Sequence, residues 1–241
     1  MSLERWIVPL EGHTFDSEDL PIWLAGGEVQ AVVREGGMCL SFPASSLNQG
    51  DVLDCASQYL NLLNGAASLL DATHRPLACS NTFYGVDSEG QKVGTVIAVG
   101  AGEVRCKTGA LGVAVNGVPT TDPRQGAALP ILDAAKASTA ASDALTIVGR
   151  QRPTWSELAV VRELAQEASG GKILERKWIS VVDDERFRRT SNSRQVLGIE
   201  ARHGHERHVP PNDPMTHVEA LRMIRGLVAN WLCWSSGPGN P

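Results

Sequence analysis

The 241-residue sequence predicts an α+β fold built from two unlike parts. Residues 1–149 predict a mostly antiparallel β domain that carries one long helix, and residues 150–235 predict an all-helical bundle. Apolar residues alternate in short runs in the first part and recur every three or four residues in the second. The run from Gly149 to Pro153 combines the turn-forming and polar residues expected at the boundary between them.

Short apolar or alternating runs in the first part are typical of strands separated by glycine-bearing turns. The predicted strands are Arg5–Leu10, Glu28–Arg34, Met38–Phe42, Leu77–Tyr84, Val93–Val99, Glu103–Lys107 and Leu111–Asn116. A helical period over Asp51–Leu70 predicts the long helix. Asn61, Asn64 and Gly65 fall off its apolar stripe and are expected to face solvent. The alanine-rich run Leu129–Val148 predicts one further helix.

The second part contains three periodic segments with recognisable helix ends. The first predicted helix starts near Trp155 and stops at Gly170-Gly171. The second spans about Asp183–Leu197, with acidic residues in its first turn. The last has its apolar stripe at Ala220–Leu232. Asp213-Pro214 is predicted to supply its N-cap, and Thr216 and Glu219 have the spacing of a capping box.

Charge is distributed unevenly along the chain, whose net charge is −5. Residues 1–149 contain 8 Lys and Arg against 16 Asp and Glu, a balance of −8, whereas residues 150–241 contain 14 against 11, a balance of +3. The basic excess is mostly arginine, which forms bidentate contacts to phosphate and carboxylate groups. We therefore expect an anionic partner for the helical part and a protein partner for the acidic part.

Several classes of protein are not indicated by this sequence. The five cysteines are widely spaced without a CxxC pair, so neither a disulfide framework nor a cysteine zinc site is predicted. No apolar run reaches the roughly 20 residues needed to span a bilayer, and no secretory signal is recognisable, so we expect a cytoplasmic protein without membrane association. Because the Gly-rich nucleotide-binding, Gly-x-Ser-x-Gly and His-Glu-x-x-His motifs are absent, no cofactor is predicted.

Four of the six histidines lie within residues 203–217, in the predicted loop between the last two helices. The polar residues of this loop are Arg202, His203, His205, Glu206, Arg207 and His208. One hypothesis is a metal site, since His-x-His brings two imidazoles together, but no cysteine is near and no metal is predicted. A second is a polar loop whose cations pair with nearby acids and contribute little.

The third hypothesis rests on the pair Arg202 and His208, which are separated by five residues in a basic helical module. This spacing resembles the Arg-x(4–6)-His motif of the HEPN family, helical proteins of bacterial toxin and antiviral-defence systems. The resemblance covers about residues 150–235 and implies a metal-independent ribonuclease that acts as a dimer. It departs from the family where Val209-Pro210-Pro211 imposes extended backbone after His208.

The resemblance also implies roles for individual side chains. Arg202 would hold the scissile phosphate, and His208 would move the proton of the ribose 2′-hydroxyl. The candidate substrate-binding residues are His203, His205, Arg207 and Asn192. We therefore expect a protein that binds or cleaves RNA in a bacterial defence or toxin-type system.

The alternative function is non-enzymatic assembly, in which the C-terminal helices form a homo-oligomer. The long apolar stripe Ala220–Leu232, with Trp234 just beyond it, would then serve two interfaces, one inside its own bundle and one with a second copy. A nuclease requires Arg202 and His208 to converge on an open basic cleft. An assembly protein would leave them exposed singly or paired with acids.

Overall fold

The computed structural model describes residues 2–97, 114–115, 118–119, 122, 124–203 and 209–235. The predicted strand Glu103–Lys107 and most of Leu111–Asn116 lie outside these residues. The chain forms two compact units: a sheet unit of Met1–Asn61 with Arg75–Pro130, and a helical unit of Leu62–His74 with Ile131–Pro241. The mixed fold, with an antiparallel sheet in the N-terminal half and helices in the C-terminal half, is confirmed.

This division differs from the predicted boundary at residues 149/150. Leu145 and Val148 are buried in the same core as Trp155 and Leu158, so the helix before residue 149 packs with the helices after it. The turn Gly149–Pro153 therefore lies inside the helical unit. Folding of residues 150–235 as an independent domain stays a prediction.

The sheet unit contains a six-stranded antiparallel sheet in the order β2-β3-β1-β5-β6, with β4 paired to β1. Its strands are β1 (Arg5–Glu11), β2 (Gln30–Arg34), β3 (Gly37–Pro43), β4 (Ala78–Cys79), β5 (Thr82–Val86) and β6 (Lys92–Ile97). The predicted strand runs that lie within the described residues form strands, although their ends shift by up to several residues. The run Leu77–Tyr84, predicted as one strand, is divided into β4 and β5. A separate two-stranded ladder joins β7 (Ala114–Val115) and β8 (Val118–Pro119).

The helices that lie wholly in the sheet unit are short, and the long predicted helix also begins in this unit. They are α1 (Thr14–Ser17), α2 (Leu20–Trp23) and the first part of α3 (Val52–Leu70), whose residues from Leu62 onward belong to the helical unit. Short 3₁₀ turns at Ala44–Ser46 and Gln49–Asp51 precede α3. Edge-to-face packing of Trp6 on Phe83 and of Phe42 on Tyr59 fills this unit's interior.

The helical unit continues from α3 with α4 (Leu129–Ala137), α5 (Thr139–Val148), α6 (Trp155–Ala168), α7 (Val181–Asn192), α8 (Arg194–Leu197), a 3₁₀ turn (Gly198–Glu200) and α9 (His217–Ser235). Two predicted helices are each interrupted once. The Ser138 hydroxyl caps α5 and divides Leu129–Val148, and the Ser193 hydroxyl caps α8 and divides Asp183–Leu197. Serine competes for backbone groups in this way, so it favours helix ends over helix interiors.

At the start of α9 the predicted capping box of Thr216 and Glu219 is confirmed, whereas the predicted Asp213 N-cap is wrong. Thr216, rather than Asp213, precedes the first turn, and its hydroxyl accepts the Glu219 N–H at 3.3 Å while the Glu219 carboxylate accepts the Thr216 N–H at 2.7 Å. This reciprocal capping box satisfies two backbone donors, whereas an Asp213 cap would satisfy one. The predicted end of α6 is confirmed, since Gly170 and Gly171 adopt positive φ values of 65° and 84°.

Asn61 is exposed on α3 as predicted, but Asn64 and Gly65 do not face solvent, contrary to the prediction. Asn64 is buried, and a Cβ atom added to Gly65 would lie 2.1 Å from the carbonyl oxygen of Leu145 on α5. At the end of α5, a Cβ atom added to Gly149 would lie 2.5 Å from the backbone nitrogen of Gly65. The prediction was wrong because the residues that fall off an apolar stripe can still lie where another backbone packs closely.

None of the helices in the described parts of the chain is long and apolar enough to cross a membrane.

Candidate functional site: the α6–α7 pocket

The helical unit contains a cavity of about 500 Å³ that we call the α6–α7 pocket. Helices α6 and α7 form its walls, and Arg202 and His203 close one side. The lining residues are Ala159, Arg162, Glu163, Gln166, Gly171, Leu174, Asp184, Phe187, Arg188, Ser191, Asn192, Arg202 and His203. Charged and amide side chains thus share the pocket with a few apolar ones, as expected of a site for a polar ligand.

Three of the six predicted site residues converge on this pocket. Arg202, His203 and Asn192 all line it, although Asn192 is ten residues earlier in the sequence than Arg202. The other three, His205, Arg207 and His208, lie outside the described residues. The convergence of Arg202 and His208 that the HEPN resemblance implies therefore stays a prediction.

Arg202 is held in place at both its backbone and its side chain. Its N–H donates to the carbonyl oxygen of Ser191 at 2.8 Å, which ties this loop to the last turn of α7. Its Nη2 atom lies 2.7 Å from Oε1 of Glu163 on α6. The guanidinium is about one-third exposed and the carboxylate about half exposed, so solvent screening leaves this ion pair weak and exchangeable. For Arg202 alone, pairing with an acid is the arrangement expected of an assembly protein.

A second ion pair, between Arg162 and Asp184, forms the buried wall of the pocket. The Nε and Nη2 atoms of Arg162 donate to the two Asp184 carboxylate oxygens at 2.5 and 2.9 Å. The Asp184 side chain is only 4% exposed, and the Arg188 guanidinium adds a longer contact of 3.8 Å. Such a bidentate pair fixes α6 against α7 because removal of either partner leaves an uncompensated buried charge.

The sequence did not indicate this buried pair. Asp184 belongs to an acidic run at the start of α7, which predicted only a favourable interaction with the helix dipole. Its partner Arg162 is 22 residues away on another helix, so no local spacing connects them.

Asn192 contributes an amide at the end of α7. Its Nδ2 donates to the carbonyl oxygen of Arg188 at 2.8 Å, and its buried Oδ1 has no hydrogen-bond partner among the described residues. A buried acceptor without a donor is costly, so a donor group that reached it would gain a hydrogen bond. The amide therefore adds polar recognition to a pocket whose other polar groups are charged.

The charged side chains that line the pocket give a balance of +1, three arginines against two acids. Arg162, Arg188 and Arg202 face two acids, Glu163 and Asp184, and Asp184 is already neutralised by Arg162. Arg188 is 60% exposed, so its guanidinium can turn towards a ligand. Two arginines that can reach a ligand, together with His203 and Asn192, suit an anionic group with hydrogen-bonding substituents.

A different groove of the helical unit lies between α7 and α9. Its apolar floor contains Trp178, Ile179, Met215 and Met223, and Arg222 lines its edge. The Thr216 backbone and hydroxyl, together with the Arg186 guanidinium, lower the pKa of Glu219 at this edge to about 2. The carboxylate is thus held ionised by the cap of α9, which indicates a structural role.

Within the described ranges, no group of three or more His, Cys, Asp or Glu side chains could hold a metal ion. A comparison of the chain with family models, curated proteins and solved structures found no match.

Proposed function

We propose that the protein binds RNA and that the α6–α7 pocket of its helical unit is the site of contact with the phosphate backbone. The observation that carries the proposal is the convergence of Arg188, Arg202, His203 and Asn192 on one cavity. Guanidinium groups bind phosphate oxygens in bidentate geometry, and amide and imidazole groups recognise sugar and base edges. The HEPN resemblance supports RNA as the partner, and a bacterial defence or toxin-type role follows from that resemblance alone.

The net charge of −5 does not argue against an anionic partner. Acidic residues dominate the first 149 positions, whereas the positive balance lies in the chain that forms the pocket. Binding depends on the local field near the site more than on the charge of the whole molecule.

The first prediction compares arginines inside and outside the pocket. Arg188→Ala and Arg202→Ala should each weaken the binding of a short fluorescein-labelled single-stranded RNA roughly tenfold, because each removes a charge-assisted phosphate contact. Each should also reduce the slope of log affinity against log salt by about one. The assay is fluorescence anisotropy at several salt concentrations, with chelator present throughout.

Arg222→Ala is the matched control. Arg222 is an exposed arginine of the same unit, has no ion pair with any described residue and lies in the other groove. It should bind RNA like the wild type. Equal losses in all three variants would indicate diffuse charge attraction and would contradict a site in the pocket.

A second candidate function is self-association, which three exposed valines favour. Val181, Val182 and Val218 are 64%, 74% and 66% exposed around the start of α7 and α9, beside the apolar groove. The surface that the sequence predicted for this role is not free: Ala220, Ile224, Leu227, Val228, Trp231 and Leu232 are buried in the core of the unit itself. Trp234 packs there as well, 5.5 Å from Trp178.

If the valines form a homodimer interface, the wild type should be dimeric by light scattering at about tens of micromolar. Val182→Asp should then be monomeric, because a charge buried at an apolar contact opposes association. The matched control is Val160→Asp, at an exposed valine on α6 away from the groove. A monomeric wild type would contradict self-association through these valines.

A further inference from the structure

We propose that the groove between α7 and α9 docks an acidic amphipathic helix of a partner protein. The site, which we call the α7–α9 groove, lies within the helical unit and is separate from the α6–α7 pocket. The inference therefore goes beyond RNA binding and does not depend on it. Four observations support it: the fixed shape of the groove, its apolar lining, a glycine within α9, and two cations without ion pairs.

Two polar contacts between its walls fix the shape of the groove. The Arg186 guanidinium on α7 donates to the two carboxylate oxygens of Glu219 on α9 at 3.1 and 3.2 Å. Further along α9, Nδ2 of Asn230 donates to the carbonyl oxygen of Trp178 at 3.1 Å. Because the walls are joined by these hydrogen bonds, the groove is formed before any ligand binds, which lowers the cost of ordering it.

The length of the groove matches the apolar face of a short helix. On α9 the lining runs from Glu219 to Gly226, with Met215 just before the helix. Seven residues of helix rise about 10 Å. This distance is also the span from the first to the last anchor of a helix that binds through residues i, i+3, i+4 and i+7.

Apolar side chains form the floor of the groove and continue onto its rim. Trp178, Ile179 and Met215 form the floor, and the exposed Val181 lies at the rim. Met223 is partly exposed, and its flexible, polarisable thioether can adapt to the side chains of a partner. An apolar surface that remains accessible to solvent in this way is typical of an interaction site.

Gly226 indicates that the backbone of the ligand comes close to α9. It lies within this helix, is exposed and lines the groove. A Cβ atom added there would have no neighbour within 4 Å outside its own turns of helix, so the packing of this chain does not require a glycine. Glycine lowers the stability of a helix interior, but it allows another backbone to approach closely. A helix that crosses α9 at this position would use that space.

The charges along the groove favour an acidic ligand. The charged residues that line it are Lys177, Arg186 and Arg222 against Asp183 and Glu219, a balance of +1. Arg186 and Glu219 neutralise each other, and Asp183 interacts with the dipole of α7 in its first turn. Lys177 and Arg222 are exposed and form no ion pair within the described part of the chain. They complement carboxylates that flank an apolar helix face.

A different protein suits the groove better than a second copy of this chain does. The apolar stripes of α6 and α9 are buried in the core of their own unit, where Leu158 and Ile224 are fully enclosed. Neither helix of a second copy therefore has a free apolar face to insert. The partner is defined by its chemistry: a helix with apolar residues at i, i+3, i+4 and i+7, flanked by aspartate or glutamate.

The test measures binding of a synthetic peptide to the full chain by fluorescence anisotropy. The probe is a fluorescein-labelled helical peptide of about 18 residues, with leucine at the four anchor positions and glutamate on both flanks. The wild type should bind it with a Kd of about tens of micromolar. A peptide of the same composition with scrambled leucine positions should bind at least about tenfold more weakly, because its apolar residues no longer share one face.

Gly226→Leu should weaken peptide binding by roughly tenfold or more, because the new side chain occupies the space that the peptide backbone needs. Leucine has the higher helix propensity, so the variant should fold, which circular dichroism checks. The matched control is Ala229→Leu, at an exposed position of the same helix outside the groove lining. It should bind the peptide like the wild type.

Charge reversal tests the acidic character of the ligand. The double variant Lys177→Glu with Arg222→Glu should bind the acidic peptide about tenfold more weakly. It should bind more tightly to an otherwise identical peptide that carries lysine in place of glutamate. The matched control, Lys136→Glu with Lys172→Glu, changes the net charge equally at two exposed lysines outside the lining, and it should leave both affinities unchanged.

Photocrosslinking locates the bound peptide. With benzoylphenylalanine at one anchor position, the peptide should crosslink within residues 174–186 or 215–226. Crosslinks elsewhere, equal affinity for the acidic and basic peptides, or absence of binding would overturn the proposal. A wild type that is dimeric and becomes monomeric in Gly226→Leu would assign the groove to a second copy and would overturn it as well.

Discussion

Replacing Gly65 by alanine should destabilise the helical unit by about 3 kcal/mol. The added Cβ atom would lie 2.1 Å from the carbonyl oxygen and 2.6 Å from the carbonyl carbon of Leu145, both of which are backbone atoms that cannot rotate away. Helices α3 and α5 would have to separate, which would also disturb the packing of Gly149 on Gly65. Urea unfolding monitored by circular dichroism measures the change in the free energy of unfolding.

Gly226→Ala provides the matched control in the same unit. Gly226 lies within α9, and a Cβ atom built there has no neighbour within 4 Å. Alanine has the higher helix propensity and reduces the entropy of the unfolded chain, so this change should stabilise the protein by about 0.4–1 kcal/mol. Replacing glycine by alanine is thus expected to lower the free energy of unfolding at position 65 and to raise it at position 226. A neutral Gly65→Ala would mean that the close approach of α3 and α5 is wrong.

Arg162→Ala should cost about 3–5 kcal/mol of stability, because it leaves the buried Asp184 carboxylate without its bidentate partner. Arg188, which lies 3.8 Å from the same carboxylate and is mostly exposed, can replace only part of this interaction. The variant should also bind RNA weakly, since the wall between α6 and α7 loses its fixed geometry. Chemical denaturation again provides the measurement.

The double variant Arg162→Met with Asp184→Leu separates charge from packing. Replacing a buried ion pair by apolar side chains of similar volume is often neutral or stabilising, so the double variant should recover most of the stability lost in Arg162→Ala. Arg189→Ala, which removes an exposed pair with Glu185, should change the stability by less than about 1 kcal/mol. If Arg162→Ala also changed the stability by less than about 1 kcal/mol, this result would contradict a buried ion pair between Arg162 and Asp184.

The overall architecture could be predicted because it follows from local patterns. Alternating apolar residues predicted the strands around Arg5 and Met38, and apolar residues spaced three and four apart predicted α3, α6 and α9. Helix breaks were harder to predict, since Ser138 and Ser193 are compatible with either a helix interior or a cap until tertiary packing decides. The packing of α5 with the helices after residue 149 has no local signal, because it depends on long-range contacts of α5 with α6.

The candidate site was only partly predictable for the same reason. Arg202 and His203 stood out as members of a local cluster, and Asn192 was predicted as a candidate substrate-binding residue; all three line the pocket. Glu163, Arg162 and Asp184 carried no local signal because their partners lie on other elements. Which acid is exposed and which is buried follows from the packing of α6 on α7, and no sequence spacing encodes it.

The central claim is that RNA contacts the α6–α7 pocket, and photocrosslinking tests it most directly. RNA that contains 4-thiouridine would be irradiated with the full-length protein, and the crosslinked peptides would be identified by mass spectrometry. The account predicts crosslinks in residues 159–174 and 184–203, which are lost when Arg188 and Arg202 are both replaced by alanine. Crosslinks confined to the sheet unit or to the groove at Arg222, unchanged in that double variant, would contradict it.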